Sequence, residues 1–154
     1  MPVINRIADF HPDMTEWRHA LHAHPEICFE EVWTGDFIAE KLRSFGIEVT
    51  RGLGKTGVVG MLKGQGNSPR AIGLRADMDA LPMPEDTGLP FASQIEGRMH
   101  ACGHDAHTAM LVGAAHLLAA RADTLAGEVV FMFQPGEEAY GGAEVMLSEG
   151  IPAC

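Results

Sequence analysis

Ile7, Phe10, Met14, Trp17 and Leu21 follow one another at steps of three and four residues, the spacing of one helix face, so a helix is predicted that runs to about His22. Pro12 sits comfortably only near a first turn, which places a start or a kink there. His24-Pro25 ends the segment, because the residue before a proline avoids helical backbone. The acidic pair Glu30-Glu31 suits the positive end of a helix dipole. After it, Phe37, Ile38, Leu42 and Phe45 mark the apolar side of a second helix, closed by Gly46. Three short β-type runs come next, at 47–50, 58–62 and 71–76. The first alternates as a half-exposed strand does, and the other two are more continuously apolar. Residues 80–101, rich in Pro, Gly and polar groups, read as a long loop. A helix apolar nearly all round is expected at 105–120 and should be buried. The continuous run 129–133, stopped by Pro135-Gly136, predicts a central buried strand, and 143–147 a short amphipathic helix. Helices interleaved with buried strands predict an α/β fold, a central sheet with helices on both faces. In such sheets chemistry collects in the loops beyond the strand ends.

Composition narrows the partners. The 154 residues are 46% hydrophobic and 21% charged, which suits one folded domain with a real core. Eleven basic against 21 acidic side chains give a net charge of −10. That balance excludes a nucleic-acid surface, which needs clustered cations, and fits an anionic membrane poorly. Small molecules, metal ions or other protein chains remain. The apolar stretch 109–120 is short of the roughly 20 residues a membrane span requires. The opening MPVINRIADFHPD has neither the basic start nor the apolar stretch of a secretory signal. Cys28, Cys102 and Cys154 follow no disulfide-scaffold spacing, so a reducing cytoplasm is expected.

Three polar clusters could carry chemistry. Met99 to His107 holds a thiol and imidazoles at close spacing, donors suited to zinc-, cobalt- or manganese-type sites. Cys102 and His104, two apart, point to one side of an extended segment. The plain alternative makes Cys102 a small buried hydrophobe, His104 a helix-start residue and Asp105 its cap. Gln134-Pro135-Gly136-Glu137-Glu138 follows the buried strand, and adjacent carboxylates there are either a solvated loop or a working pair. A hydrolytic metal site needs one carboxylate to hold the ion and another to take a proton from bound water, whose pKa the metal lowers to about 7. Asp77 and Asp79 end another strand, where like charges need an offsetting cation or donors. Arg75 sits too far back to serve both, and Asp79 either caps the turn before Ala80-Leu81-Pro82 or orients a metal-bound group. His19, His22 and His24 form a weaker candidate metal cluster at a helix end.

Taken together, RHALHAHPE with Glu30-Glu31, KTGVVG, RADMDALP, MHACGHDAHTAML and FQPGEE resemble the M20 metallopeptidase family. The likeness is to its branch of hippurate hydrolases and N-acyl-amino-acid amidohydrolases. The stretches occur in family order from about residue 15 to 150. The resemblance implies the N-terminal part of a metallopeptidase-like catalytic domain, spanning 1–154, that cleaves the amide bond of N-acyl amino acids. It implies Cys102, His104 and Glu138 as metal ligands and Glu137 as general base, with one divalent ion or two (Zn, Mn, Co or Ni). Where sister branches carry His-x-Asp, this chain has Asp77-Met78-Asp79. That makes Asp79 the residue expected to orient a ligand and leaves Asp77 without a metal. Gly136, where many relatives have alanine, matches the hippurate-hydrolase variant.

Intact relatives are expected to form homo-oligomers through an inserted domain and to supply two further histidine ligands. No histidine follows His116 here, so the chain is expected to be an incomplete half-site, inactive alone, with an exposed edge on the strand 129–133. Two rival readings stand beside this one. The first takes Cys102 as a nucleophile with His104 as its base. The second takes the chain as a catalytically dead α/β module that binds a metal or another chain.

Overall fold

A computed structural model describes residues 2–139 and 141–151, with side chains from residue 7 onward. The chain folds in the order α1 (Pro2–Ala23), α2 (Val32–Ser44), β1 (Glu48–Leu53), β2 (Gly57–Lys63), β3 (Ala71–Asp77), α3 (His104–Ala119), β4 (Glu128–Gln134) and α4 (Gly142–Ser148). The predicted α/β class and the run of elements both hold, with most boundaries shifted by a residue or two, while β1 runs three residues further and α1 begins at Pro2.

The four strands form one sheet in the order β1-β2-β4-β3. β2 pairs antiparallel with β1 and β4, and β4 runs parallel to β3. A parallel pair cannot be joined by a tight turn, so the chain crosses over through α3, and β3-α3-β4 is a βαβ unit. Alternation along the strands sorts the core. Val58 and Leu62 of β2 join Val129, Phe131 and Phe133 of β4 on the face that α2 and α3 cover. Val59 and Val130 point to the opposite face, where Met146 of α4 packs on them. Cover is therefore unequal: one face carries two helices with α1 laid over α3, the other a single short helix.

Several expectations change. α1 continues through Pro12. That residue is exposed, so the carbonyl that its missing N–H leaves unpaired can be hydrated. Glu31 stands at the N-cap of α2, but its side chain does not cap the helix. The carboxylate of Glu26 accepts from the N–H groups of Trp33 (3.1 Å) and Thr34 (2.8 Å) instead. α3 is buried on most sides, but His107 and Met110 lie on an open strip. β4 has neighbours on both sides, so it is no edge. The edges are β1 and β3, and β3 leaves an apolar side chain open, with Ile72 57% exposed. The loop after β3 is tied down: Leu81 bridges Met99, and Gln94 N–H donates to the carbonyl of Ala23.

Candidate metal centre

β3 and β4 run side by side and end together at Asp77 and Gln134, and the N-terminus of α3 abuts the same end. The three predicted clusters thus meet beyond the carboxyl ends of the parallel strands, where α/β sheets place their ligands.

Cys102 and His104 do not share an extended segment. Cys102 lies in a bend, Gly103 takes a left-handed backbone (φ 93°), and His104 is the first residue of α3. That turn, open to glycine and strained for other residues, brings the two donors to one point. Cys102 is exposed, which sets aside its reading as a buried hydrophobe. Asp105 does not cap α3 either. Buried within the first turn, it accepts from Arg18 Nε (3.1 Å) and lies 2.8 Å from His22 Nδ1, tying α1 to α3.

Ligand-capable atoms of Cys102, His104 and Glu138 all lie within 4.8 Å of one another. His104 is buried, and its Nδ1 donates to the backbone carbonyl (2.9 Å) and Oδ1 (3.2 Å) of Asp79. Its Nε2 faces Asp77 at 3.6 Å, Glu138 at 3.8 Å and Glu137 at 3.9 Å. Burial alone would pull the His104 pKa down, but the Asp79 hydrogen bond and the charges of Asp77 and Asp79 outweigh it and raise it. Positive charge is therefore favoured at Nε2. Glu138 Oε1 is buried without a hydrogen-bond partner. The Cys102 thiol is pushed up by its hydrogen bond to Glu138, by burial and by the charges of Glu138, Glu137 and Asp77. A thiol so placed is a poor nucleophile without a cation. Three converging anionic or lone-pair donors and an orphaned carboxylate oxygen fit a divalent ion.

Asp79 holds these segments together. Its Oδ2 accepts from the Glu138 N–H (3.0 Å) and the Cys28 thiol (3.2 Å), while Oδ1 meets His104. It does not cap the Ala80-Leu81-Pro82 turn. Burial opposes its ionised form, but hydrogen bonds from His104, Glu138 and Cys28 prevail and hold its pKa at about 2. Arg75 reaches Asp77 (2.9 Å) and Gln134 (2.9 Å) and not Asp79, so the two aspartates are served by different partners.

A second donor group, Asp77, His104 and His107, shares His104 with the first. His107 Nδ1 lies 2.7 Å from Asp77 Oδ1, so Asp77 is already partnered by His107 and Arg75. His107 closes the predicted cluster without a role of its own, although its position three residues after His104 puts both on one helix face. His19, His22 and His24 take separate places: against Phe91, between Asp105 and Glu85, and against Trp33. Among the described residues they form no metal-ligating group. His100, in the same motif as Cys102, is buried with neither ring nitrogen partnered by protein, and burial draws its pKa down to about 4. Among the described residues no helix is long and apolar enough to cross a membrane.

Known proteins share this arrangement of sequence and fold. The chain is 48% identical over 151 residues to hippurate hydrolase of Campylobacter jejuni, covering 98% of this chain and 39% of that protein. It is 47% identical over 151 residues to the N-acyl-L-amino acid amidohydrolase of Geobacillus stearothermophilus, covering 96% and 40%. The crystal structure of Bacillus subtilis YXEP protein, described as a dinuclear metal binding peptidase from the M20 family, superimposes with a TM-score of 0.88. The identity there is 46%, over 93% of this chain and 40% of that one. The chain thus spans about 40% of the length of the relatives it matches. The sequence profile of Peptidase family M20/M25/M40 matches residues 73–153, more than half of the chain, and the chain belongs to that family.

Proposed function

We propose that residues 1–154 form part of the catalytic domain of a metal-dependent amidohydrolase that cleaves N-acyl amino acids of the hippurate type. The observation that carries this reading is the convergence of Cys102, His104 and Glu138 donor atoms within 4.8 Å, with Glu137 beside them. The two amidohydrolase relatives support the substrate class. Cys102, His104 and Glu138 hold a divalent cation (Zn, Mn, Co or Ni), and a second ion has ligands from the longer protein. When bound, such an ion supplies the positive charge that polarises an amide carbonyl and acidifies a water molecule. Asp79 fixes His104 by accepting a hydrogen bond from Nδ1–H, which leaves Nε2 as the ligand atom. Glu137, more exposed than Glu138, is free to accept a proton and return it to the leaving amine. The intact protein acts on small molecules in the cytoplasm as a homo-oligomer.

Substituting the paired glutamates one at a time tests this division of labour. In the 154-residue chain, Glu138→Gln should weaken divalent-metal binding by at least the roughly 10- to 100-fold that loss of an outer hydrogen-bonding partner costs. Glu137→Gln should leave metal binding unchanged. In any longer form of the protein that turns over hippurate, Glu137→Gln should also lower kcat by about 10²-fold or more. Equal loss of metal in both variants, or the reverse assignment, overturns the reading.

A further inference from the structure

The stretches RHALHAHPE, Glu30-Glu31 and KTGVVG are distant in sequence from the candidate ligands, and the proposed chemistry gives them no part. The structure sets Phe29 and Glu31, with Thr56 bonded to Glu31, against the loop that carries Glu137 and Glu138. Glu26 caps α2 with its carboxylate and so fixes where the segment 27–31 leaves the helix start. Ile27 bridges to Ala80, next to Asp79. Cys28, Phe29 and Glu31 then reach Asp79 and the loop 136–139. The Cys28 thiol donates to Asp79 Oδ2 (3.2 Å), the same oxygen that accepts from the Glu138 N–H. Phe29, held at φ 61°, lays its ring against Gly136 so closely that a Cβ there would sit 3.0 Å from Cζ. Glu31 is fully buried, and its carboxylate accepts from the Gly136 N–H (3.0 Å) at Oε1 and from the Thr56 hydroxyl (2.5 Å) at Oε2.

We propose that Cys28, Phe29, Glu31 and Thr56 are positioning residues, a cradle that holds the loop 136–139 against Asp79 so that Glu137 and Glu138 face His104. This rests on the reading of Cys102, His104 and Glu138 as a metal site. The cradle explains a costly feature. A carboxylate buried without an ion-pair partner among the described residues needs hydrogen bonds to offset its desolvation, and here one of them holds a glycine in left-handed backbone (φ 62°). Gly136 N–H points inward to Glu31, and Glu138 N–H points to Asp79. With both backbone ends anchored, the two carboxylates project to the same side of a short loop. The general consequence is preorganisation: ligands held in place before the ion arrives lose less freedom on binding it.

Cobalt(II) is the probe, because its visible bands report the geometry of the whole ligand set and its near-ultraviolet charge-transfer band reports the Cys102 thiolate alone. The 154-residue chain is titrated with Co²⁺, with far-ultraviolet circular dichroism as the check on folding. Thr56→Val and Glu31→Gln are expected to weaken Co²⁺ binding by about 10-fold or more and to shift the visible bands, while the thiolate band persists. Thr56→Ser, which keeps the hydroxyl, is expected to restore wild-type binding and spectrum. If Glu31→Gln does not fold, Thr56→Val set against Thr56→Ser decides alone. Wild-type affinity and spectrum in Thr56→Val would overturn the cradle and leave the metal site standing. A loss in Thr56→Val that Thr56→Ser fails to restore would also overturn it, since the effect is then general to the fold. Failure of the wild-type chain to bind Co²⁺ with a thiolate band would overturn the metal site itself.

Discussion

Burial of the Glu31 carboxylate ties stability to pH with a definite sign. Removal from water raises its folded-state pKa above the 4.5 of an exposed glutamate, although Thr56 and the Gly136 N–H pull the other way. The folded chain therefore holds this proton more tightly than the unfolded chain does. The resulting contribution is fully present below pH 4.5 and is lost as pH rises through the raised value. Glu31→Gln removes the titration. Urea midpoints measured from about pH 5 to about pH 8 should show wild type falling relative to Glu31→Gln as pH rises, and parallel profiles would contradict this. The Glu31 role could not be read from sequence, because its partner Gly136 lies 105 positions away and an acidic pair before a helix has a simpler explanation. Cys102, His104 and Glu138 could be named as candidates because they stand in family motifs, HACGHDAH and FQPGEE, whereas their chemistry and spacing alone left plainer readings open.

At the scale of elements, strands of similar composition fare differently according to their neighbours. Phe131 in β4 is flanked by β2 and β3 and covered by helices, and it is fully buried. Ile72 in β3 has a strand on one side only and stays 57% exposed. Phe131→Ala should therefore cost about 3–5 kcal/mol by transfer and cavity terms together. Ile72→Ala should cost under about 1 kcal/mol, since little surface is returned to water. Denaturant unfolding of the two variants checks the contrast, and comparable losses would mean that β3 is covered in solution. The period of apolar residues in 71–76 signalled a strand, but not how far the covering helices extend along it.

Across the whole molecule, the open edge of β3 lies beside the strip of α3 that exposes Met110. An unpaired strand edge next to apolar surface favours association, and a net charge of −10 opposes it through mutual repulsion. Screening shortens that repulsion to about 8 Å at physiological salt, so added salt should promote self-association. Ile72→Lys should reduce it, because a charge on an edge strand disfavours further pairing. Sedimentation velocity at low and high salt reads both effects. A wild-type chain that stays monomeric at high salt would rule out this edge as an adhesive one.

By itself the sequence determined the class of fold and the order of its elements, which depend on local periodicity. Its family motifs singled out Cys102, His104 and Glu138 as candidate donors. Tertiary structure decided which carboxylate caps α2, where Asp77 finds its partners and which buried glutamate holds the Glu137–Glu138 loop. Each of these turns on two groups far apart in the chain arriving at one place. The free energy of a buried hydrogen bond or an open edge depends on that meeting and not on the residues flanking either partner.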